Sequence, residues 1–294
     1  MANLGFVGLG VMGGRIAKRL LDAGHTVSGY NRTRAKAENL IQAGLQWQET
    51  PRAVVEAADI TLSMVTDSAA LSSVFDGPDG LLAGLGPGKI YVDMSTVSPR
   101  LSREMAARVA ERGAEMLDAP VSGSVPAAET GTLIIFVGGN EAALERVRPV
   151  VESISQKIVY LGPSGTAIST KIAINLNLPA QLIALFEGVL LAERSGLSRA
   201  AALDALLNSV VAAPAMKYRA PLILNMPEEV WFSVRMMQKD LDIAEEMGAE
   251  LGVPLHSVKL AQNLLAEAVA LGWGDEDFAA LFRVLEHQAN KNQS

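Results

Sequence analysis

The chain has no cysteine among its 294 residues. Disulfides, thiol catalysis, iron–sulfur clusters and thiolate zinc sites are therefore excluded, and the composition fits a reducing, cytoplasmic setting. Histidine is scarce. His25 sits where a helix gives way to a strand, and His256 and His287 stand singly on helical segments, so all three read as structural. With no H-E-x-x-H and no clustered carboxylates, no metal is expected. Unbroken apolar runs of ~18 residues are missing, which predicts no membrane span. The first residues lack the basic segment and long apolar stretch of a signal peptide. The net charge is −7 and the basic residues are scattered, so nucleic acid is not an expected partner.

What the chain does have is length for two domains and an apolar fraction of 49%, enough for a sizeable core. Its organising stretch is N-L-G-F-V-G-L-G-V-M-G-G at residues 3–14. Leu4, Phe6 and Val7 read as a buried strand. Gly8, Gly10 and Gly13 follow in the spacing G-x-G-x-x-G, and Ile16, Ala17, Leu20 and Leu21 recur at helical spacing. Strand, glycine turn and helix in that order are the context a dinucleotide site needs. Gly8 permits the tight turn, Gly10 lets the backbone approach a pyrophosphate, and Gly13 lets helix and strand pack closely. Leu9, Val11 and Met12 complete the turn, with free N–H groups at the helix start to receive the anion.

Strands predicted at 26–30, 59–65, 90–94, 115–119, 133–137 and 158–161 alternate with helices at 34–43, 51–57, 99–112 and 141–151. That alternation implies an α/β domain over residues 1–162, a doubly wound parallel sheet with helices on both faces. After Gly162-Pro163-Ser164-Gly165 the strand signals vanish. Helices are predicted at 168–194, 198–208, 234–251, 255–271 and 276–288, an all-α domain over residues 163–294. The final N-K-N-Q-S is expected to fray.

In an NAD site a carboxylate about 20 residues past the glycines binds the ribose 2′-hydroxyl. Here that position holds Asn31, followed by Arg32 and Thr33. An acid would repel a 2′-phosphate, whereas an amide, a guanidinium and a hydroxyl would bind it, so NADP(H) is favoured over NAD(H). The competing explanation is a Thr33 N-cap beside a solvated arginine.

A hydride carrier needs a partner that manages the proton on the substrate oxygen. Lys171 is the candidate, with Asn175 four residues on and so on the same helix face. Ile168, Ile172, Ile174, Leu176, Leu178 and Leu182 surround the pair with apolar side chains. Pro179 cannot donate to the Asn175 carbonyl, so the helix is expected to open there. Two further stretches, D-M-S-T at 93–96 and D-A-P-V-S-G-S at 118–124, each end a strand, on the side where open parallel sheets bind ligands. Ser122, Gly123 and Ser124 offer N–H and hydroxyl donors of the kind a small carboxylate requires.

These residues resemble the β-hydroxyacid dehydrogenase family, relatives of 3-hydroxyisobutyrate dehydrogenase and of 6-phosphogluconate dehydrogenase. The likeness rests on four ordered motifs. They are G-F-V-G-L-G-V-M-G, D-A-P-V-S-G with G-T-L after it, G-x-x-x-x-x-K-x-x-x-N from Gly165 to Asn175, and Lys239-Asp240. The resemblance implies a Rossmann domain joined by a long helix to an all-helical domain. It implies Lys171 as the catalytic lysine, Asn175 as its substrate-binding neighbour, and Ser122 and Gly123 on the substrate carboxylate. Thr96 would sit by the nicotinamide, Val65 would pass the cofactor with its backbone, and Lys239 would close over the site. The implied reaction is NADPH-linked reduction of a small aldehyde acid, reversible to β-hydroxyacid oxidation, in a homodimer or homotetramer.

The chain departs from the family in places. The common S-G-G-x-x-G-A is Ser122-Gly123-Ser124-Val125-Pro126-Ala127-Ala128 here, a form similar to the branch that reduces glyoxylate and succinic semialdehyde. Ala167 replaces a usual glycine and Ile174 a usual asparagine, while Leu178, Trp231 and Met236 make the implied pocket more apolar. Two other functions compete. One is reduction of imines or bulkier ketones, whose resembling enzymes usually lack a lysine at the position of Lys171. The other is a non-catalytic nucleotide-binding scaffold, as in relatives that have lost that lysine.

Overall fold

The computed structural model describes residues 1–226 and 228–291, so the end of the stretch expected to fray lies outside the described residues. The chain divides into two compact units, Met1–Lys171 and Ile172–Ser294.

The first unit holds nine strands: β1 (Asn3–Val7), β2 (Thr26–Tyr30), β3 (Gln46–Trp47), β4 (Ile60–Ser63), β5 (Ile90–Asp93), β6 (Glu115–Asp118), β7 (Val121–Ser122), β8 (Leu133–Gly139) and β9 (Ser155–Tyr160). Their order is β3-β2-β1-β4-β5-β6-β8-β7, with β9 paired to β8. From β3 to β6 every pairing is parallel, as the alternation of strands and helices implies. Beyond β6 the sheet becomes mixed: β8 runs antiparallel to β6 and β7, and parallel to β9.

The period-two pattern of the strands builds a core on each face. Leu4 and Phe6 of β1, Ile90 and Val92 of β5 and Leu117 of β6 meet Ile16, Leu20, Leu144 and Val147 from helices Val11–Asp22 and Glu141–Glu152. The residues between them, Val7, Tyr91 and Met116, meet Val54, Leu71, Phe75 and Met105 from helices Pro51–Glu56, Ser68–Phe75 and Pro99–Glu111 on the other face. The helix predicted at 34–43 is instead a 3-10 turn, Arg34–Ala37, followed by a short α-helix, Glu38–Gln42. Helix Ser68–Phe75 has no counterpart among the helices the sequence predicts. Its start is fixed by Asp67, whose side chain accepts from the Ala70 N–H.

The second unit is helical, with Asn177–Arg194, Arg199–Leu207, Val234–Leu251, His256–Ala270 and Leu281–Lys291 as its main elements. Leu182, Phe186, Met237, Leu241, Leu265 and Phe282 fill its core, and Phe186 meets Phe282 edge-on at 5.5 Å. The helix expected at 168–194 starts at Thr166, is interrupted at Leu176 and resumes at Asn177. Leu176 keeps helical angles (φ −61°, ψ −25°), so the helix opens without reversing. The opening lies within one turn of Pro179, which has no N–H for the Asn175 carbonyl. Asn177 turns its side-chain amide back to the Ala173 carbonyl at 2.8 Å. By length and composition this helix alone among the described residues is apolar enough to cross a membrane. Much of that apolar surface is buried inside the protein, as with Leu182, Phe186 and Val189.

Candidate active site

The glycine turn separates what the fold demands from what it leaves open. Gly8 has φ +96°, and a Cβ there would lie 2.3 Å from the Met64 carbonyl oxygen. A Cβ at Gly13 would lie 2.0 Å from the Gly8 carbonyl oxygen. Both glycines are required by packing. Gly10 is not: its φ is an ordinary −78°, and a Cβ there would meet nothing within 4 Å. Packing gives no reason for glycine at this position; a pyrophosphate lying against the backbone would give one. Helix Val11–Asp22 begins there with no side-chain cap, so Met12 and its neighbours present uncapped N–H groups.

Asn31, Arg32 and Thr33 follow β2, beside this turn. Asn31 is engaged within the protein: its Oδ1 accepts from the Leu9 N–H at 3.1 Å and its Nδ2 donates to the Thr33 carbonyl at 2.9 Å. An aspartate could accept but not donate, so the amide braces the turn in a way an acid would not. Thr33 makes no capping hydrogen bond with its side chain, and Arg32 is exposed. Next to the turn lies a cleft of about 310 Å³ lined by Gly10, Gly14, Arg15, Lys18, Lys36 and Asn39, among others. Sequence reasoning missed Arg15, Lys18 and Lys36 here. Their signal was basic residues within the first two turns of the helical segments that follow β1 and β2.

Parallel strands β4 and β5 bring Val65 and Thr96, which follow them, to one edge of the sheet. Ser122 to Ser124 come after β6, with Ser122 on the short strand β7. A buried network holds the first two loops. Asp93, 2% exposed, accepts at Oδ1 from Ser63 Oγ (2.8 Å), Ser95 Oγ (2.7 Å) and the Ser95 N–H (3.2 Å). Tyr91 Oη completes it on Ser63 Oγ at 2.7 Å, and Ser95 Oγ accepts the Val65 N–H at 3.0 Å. Burial pushes the Asp93 carboxyl up to about 6; the Ser95 and Ser63 hydrogen bonds pull against this, and the charge of Asp118 adds to it. Tyr91 is pushed well above its usual value by burial, then by the Asp93 charge.

Ser122 pairs with Ile134 across the β7–β8 ladder. Gly123 has φ +124°, and a Cβ there would lie 2.8 Å from Ala127, so the fold itself asks for glycine. Ser124 precedes the short helix Val125–Thr130 without capping it. Lys171 is half-buried at the end of this unit, on helix Thr166–Asn175.

In the second unit Asn175 is buried, at 2% exposure, so it is not solvated surface. Its Nδ2 donates to Asp240 Oδ2 at 2.5 Å, while its Oδ1 is buried with no hydrogen-bond donor among the described residues. Lys239 pairs with Asp240 Oδ1 at 2.8 Å. Buried Asp240 thus serves both neighbours, a role the Lys239-Asp240 motif did not reveal by itself. Of the histidines, His25 accepts the Ala2 N–H on Nδ1, and burial and the N-terminal charge lower its pKa, in keeping with a structural part.

Residues 3–162 match the NAD binding domain of 6-phosphogluconate dehydrogenase, and residues 165–285 match the NAD-binding family of NADP-dependent 3-hydroxyisobutyrate dehydrogenase. Glyoxylate/succinic semialdehyde reductase 1 of Arabidopsis thaliana is 34% identical over 97% of this chain and 98% of that protein. The cytokine-like nuclear factor N-PAC of Xenopus tropicalis is also 34% identical over 97% of this chain, but the chain spans about half of its length, 53%. The structure of Mycobacterium tuberculosis 3-hydroxyisobutyrate dehydrogenase with L-serine superposes with a TM-score of 0.86 at 30% identity, covering 97% of this chain and 99% of that one. An imine reductase from a Pseudomonas species shares 23% identity and a TM-score of 0.64, a likeness of fold alone. Glycine turn, strand-end hydroxyls, lysine-bearing helix and these relatives agree: the chain belongs to the β-hydroxyacid dehydrogenase family.

Proposed function

We propose that the chain is an NADPH-dependent reductase of small aldehyde acids, semialdehydes or glyoxylate, with Lys171 as the proton donor and the reverse reaction oxidising a β-hydroxyacid. The observation that carries this reading is the open acceptor on Asn175. Buried polar atoms are nearly always paired, yet Asn175 Oδ1 is buried without a donor among the described residues, while Asp240 fixes the other end of the amide. Asp240 therefore sets the amide orientation and leaves the oxygen for a hydroxyl of the bound molecule. Lys171 lies one helical turn before it, on the same face.

The nicotinamide dinucleotide, when bound, supplies the hydride. Gly10 and the uncapped helix start give it room and donors. Ser95, held by Asp93, fixes the Val65 backbone, and Thr96 follows directly on that network. Ser122 and the Gly123 N–H bind the substrate carboxylate and so align its carbonyl, which supplies proximity. The Lys171 ammonium donates its proton to the carbonyl oxygen in reduction and recovers it in oxidation. The preference for NADPH is supported by the absence of an acid at Asn31, by Arg32 and by the cationic cleft that contains Lys36. A cytoplasmic setting and assembly into dimers or tetramers belong to the same reading.

The test is NADPH oxidation, followed by absorbance, with glyoxylate, succinic, tartronate and methylmalonate semialdehydes, a cyclic imine, and NADH in parallel. One short aldehyde acid should turn over, and faster with NADPH. Lys171→Ala should lower kcat by about 10²–10⁴-fold and leave NADPH binding within about twofold. Activity confined to the imine, or a Lys171→Ala variant at nearly full rate, would end this reading.

A further inference from the structure

Asp118 ends β6 with both carboxylate oxygens turned toward the start of helix Thr166–Asn175. Oδ1 accepts from the Gly165 N–H at 2.8 Å and Oδ2 from the Ile168 N–H at 2.9 Å. The residue is only 3% exposed. A helix start is ordinarily capped by the residue just before it, as Asn140 caps Glu141–Glu152. Here the cap comes from another strand, 47 and 50 residues away in sequence. Two glycines make it possible. Gly138, the register partner of Asp118 on β8, leaves space for the carboxylate, since a Cβ there would lie 2.6 Å from Oδ1. Gly165 adopts φ +88°, a left-handed conformation that suits glycine, and its N–H is one of the two donors.

A buried carboxylate is a costly way to end a strand, and an apolar residue would pack there at less cost. The helix N-terminus and two N–H donors offset that cost, and in return the helix is fixed against the sheet. Lys171 is three residues past Ile168. The same strand end runs through Ala119 and Pro120 into Ser122 and Gly123. One carboxylate thus ties the helix bearing the proton donor to the loop proposed for the substrate carboxylate.

We propose that Asp118 is a positioning residue for Lys171, clamping the first turn of its helix to the end of β6 so that the ammonium meets the substrate carbonyl. This rests on the reading of Lys171 as the proton donor. A misplacement of about 1 Å costs about 10²-fold in rate, which sets the scale of the effect.

The experiment is a double-mutant cycle on the full chain, with Lys171→Ala, Asp118→Asn and the pair, assayed on the best aldehyde acid of the panel. Asp118→Asn should lower kcat about 10–100-fold while KM for the aldehyde acid and NADPH affinity stay within about threefold. In the Lys171→Ala background the same change should alter the residual rate by less than about twofold, because its object is gone. Gly138→Ala, which keeps the carboxylate but displaces it, should reproduce the kcat loss and the non-additivity; it decides the matter should Asp118→Asn not fold. An equal loss in both backgrounds overturns the proposal, because the effect then does not pass through the lysine. Full kcat in a folded Asp118→Asn or Gly138→Ala protein overturns it as well. Retention of rate by Lys171→Ala alone would overturn the proton-donor reading and this inference with it, and that single variant tells the two failures apart.

Discussion

Gly10 and Gly13 lie three residues apart and should respond to substitution in opposite ways. A Cβ at Gly13 collides with the Gly8 carbonyl, so Gly13→Ala is expected to lose the folded first unit. A Cβ at Gly10 meets only open space, so Gly10→Ala should melt within about 1 °C of the parent and bind NADPH at least about tenfold more weakly. Calorimetry and a nucleotide titration by fluorescence separate the two, and unchanged affinity in Gly10→Ala would remove the pyrophosphate from this turn. Asp93 makes a prediction of a different kind. Its folded pKa, about 6, lies above the ordinary value of an aspartate. Between about pH 4 and 6 the native state keeps a proton that the unfolded chain has released, so its contribution to stability falls as pH rises through that window and stays low above it. Asparagine keeps the Oδ1 that accepts all three hydrogen bonds and removes the buried charge. Asp93→Asn should therefore melt above the parent at pH 8, with the advantage shrinking toward pH 4. An advantage that grows as pH falls would contradict the assigned shift.

At the scale of elements, an ion pair ties the end of helix Pro214–Arg219 to the turn before helix Leu281–Lys291. Arg219 reaches both oxygens of Asp277 at 2.6 and 2.7 Å, and both side chains are buried. Asp277 also accepts the N–H groups of Phe232 and Ala279, and the guanidinium lies 4.4 Å over the Phe278 ring. Removing one partner strands the other charge, so Asp277→Ala should destabilise the protein by about 3–5 kcal/mol in urea unfolding. A loss under about 1 kcal/mol would mean that water reaches the arginine. Such pairs also mark where sequence reading stops. β2 and helix Val234–Leu251 are legible to the residue, because their periodicity and caps are local. β7 is two residues long and exists only because β8 returns beside it, setting Val121 against Ile135. No periodicity signals a strand that short, and none signals that β8 lies antiparallel to β6. The candidate site divides the same way. Its motifs announce Gly8 to Gly13, Ser122 and Lys171, but the groups that hold them are paired across distances in sequence that no motif spans. Asp93 with Ser63, Asp118 with Gly165 and Asn175 with Asp240 are of that kind. An acid ending each of two adjacent strands, Asp93 beside Asp118, was the visible sign of them.

For the whole molecule, the distribution of exposed apolar side chains argues for self-association through the helical unit. Among the described residues of the first unit only Met1, Val11 and Tyr160 are large, apolar and exposed. The second unit exposes Leu191 (72%), Leu251 (70%), Leu260 (54%) and Val253 (51%), together with Leu197, Val210 and others. Leu251 and Val253 also line an apolar groove of about 130 Å³ with Ile172, Leu176, Met247 and Leu255. Single exposed leucines need no explanation, but their accumulation on one unit, with Leu251 and Val253 lining an apolar groove, predicts an oligomer interface there. Light scattering should give a mass of at least twice the 31.0 kDa of one chain. Leu251→Glu with Val253→Glu should shift that mass toward the monomer and make the melting temperature fall on dilution. Tyr160→Glu, on the first unit, should change neither. A parent protein that stays at the mass of one chain at every concentration would assign this surface to something other than a second copy.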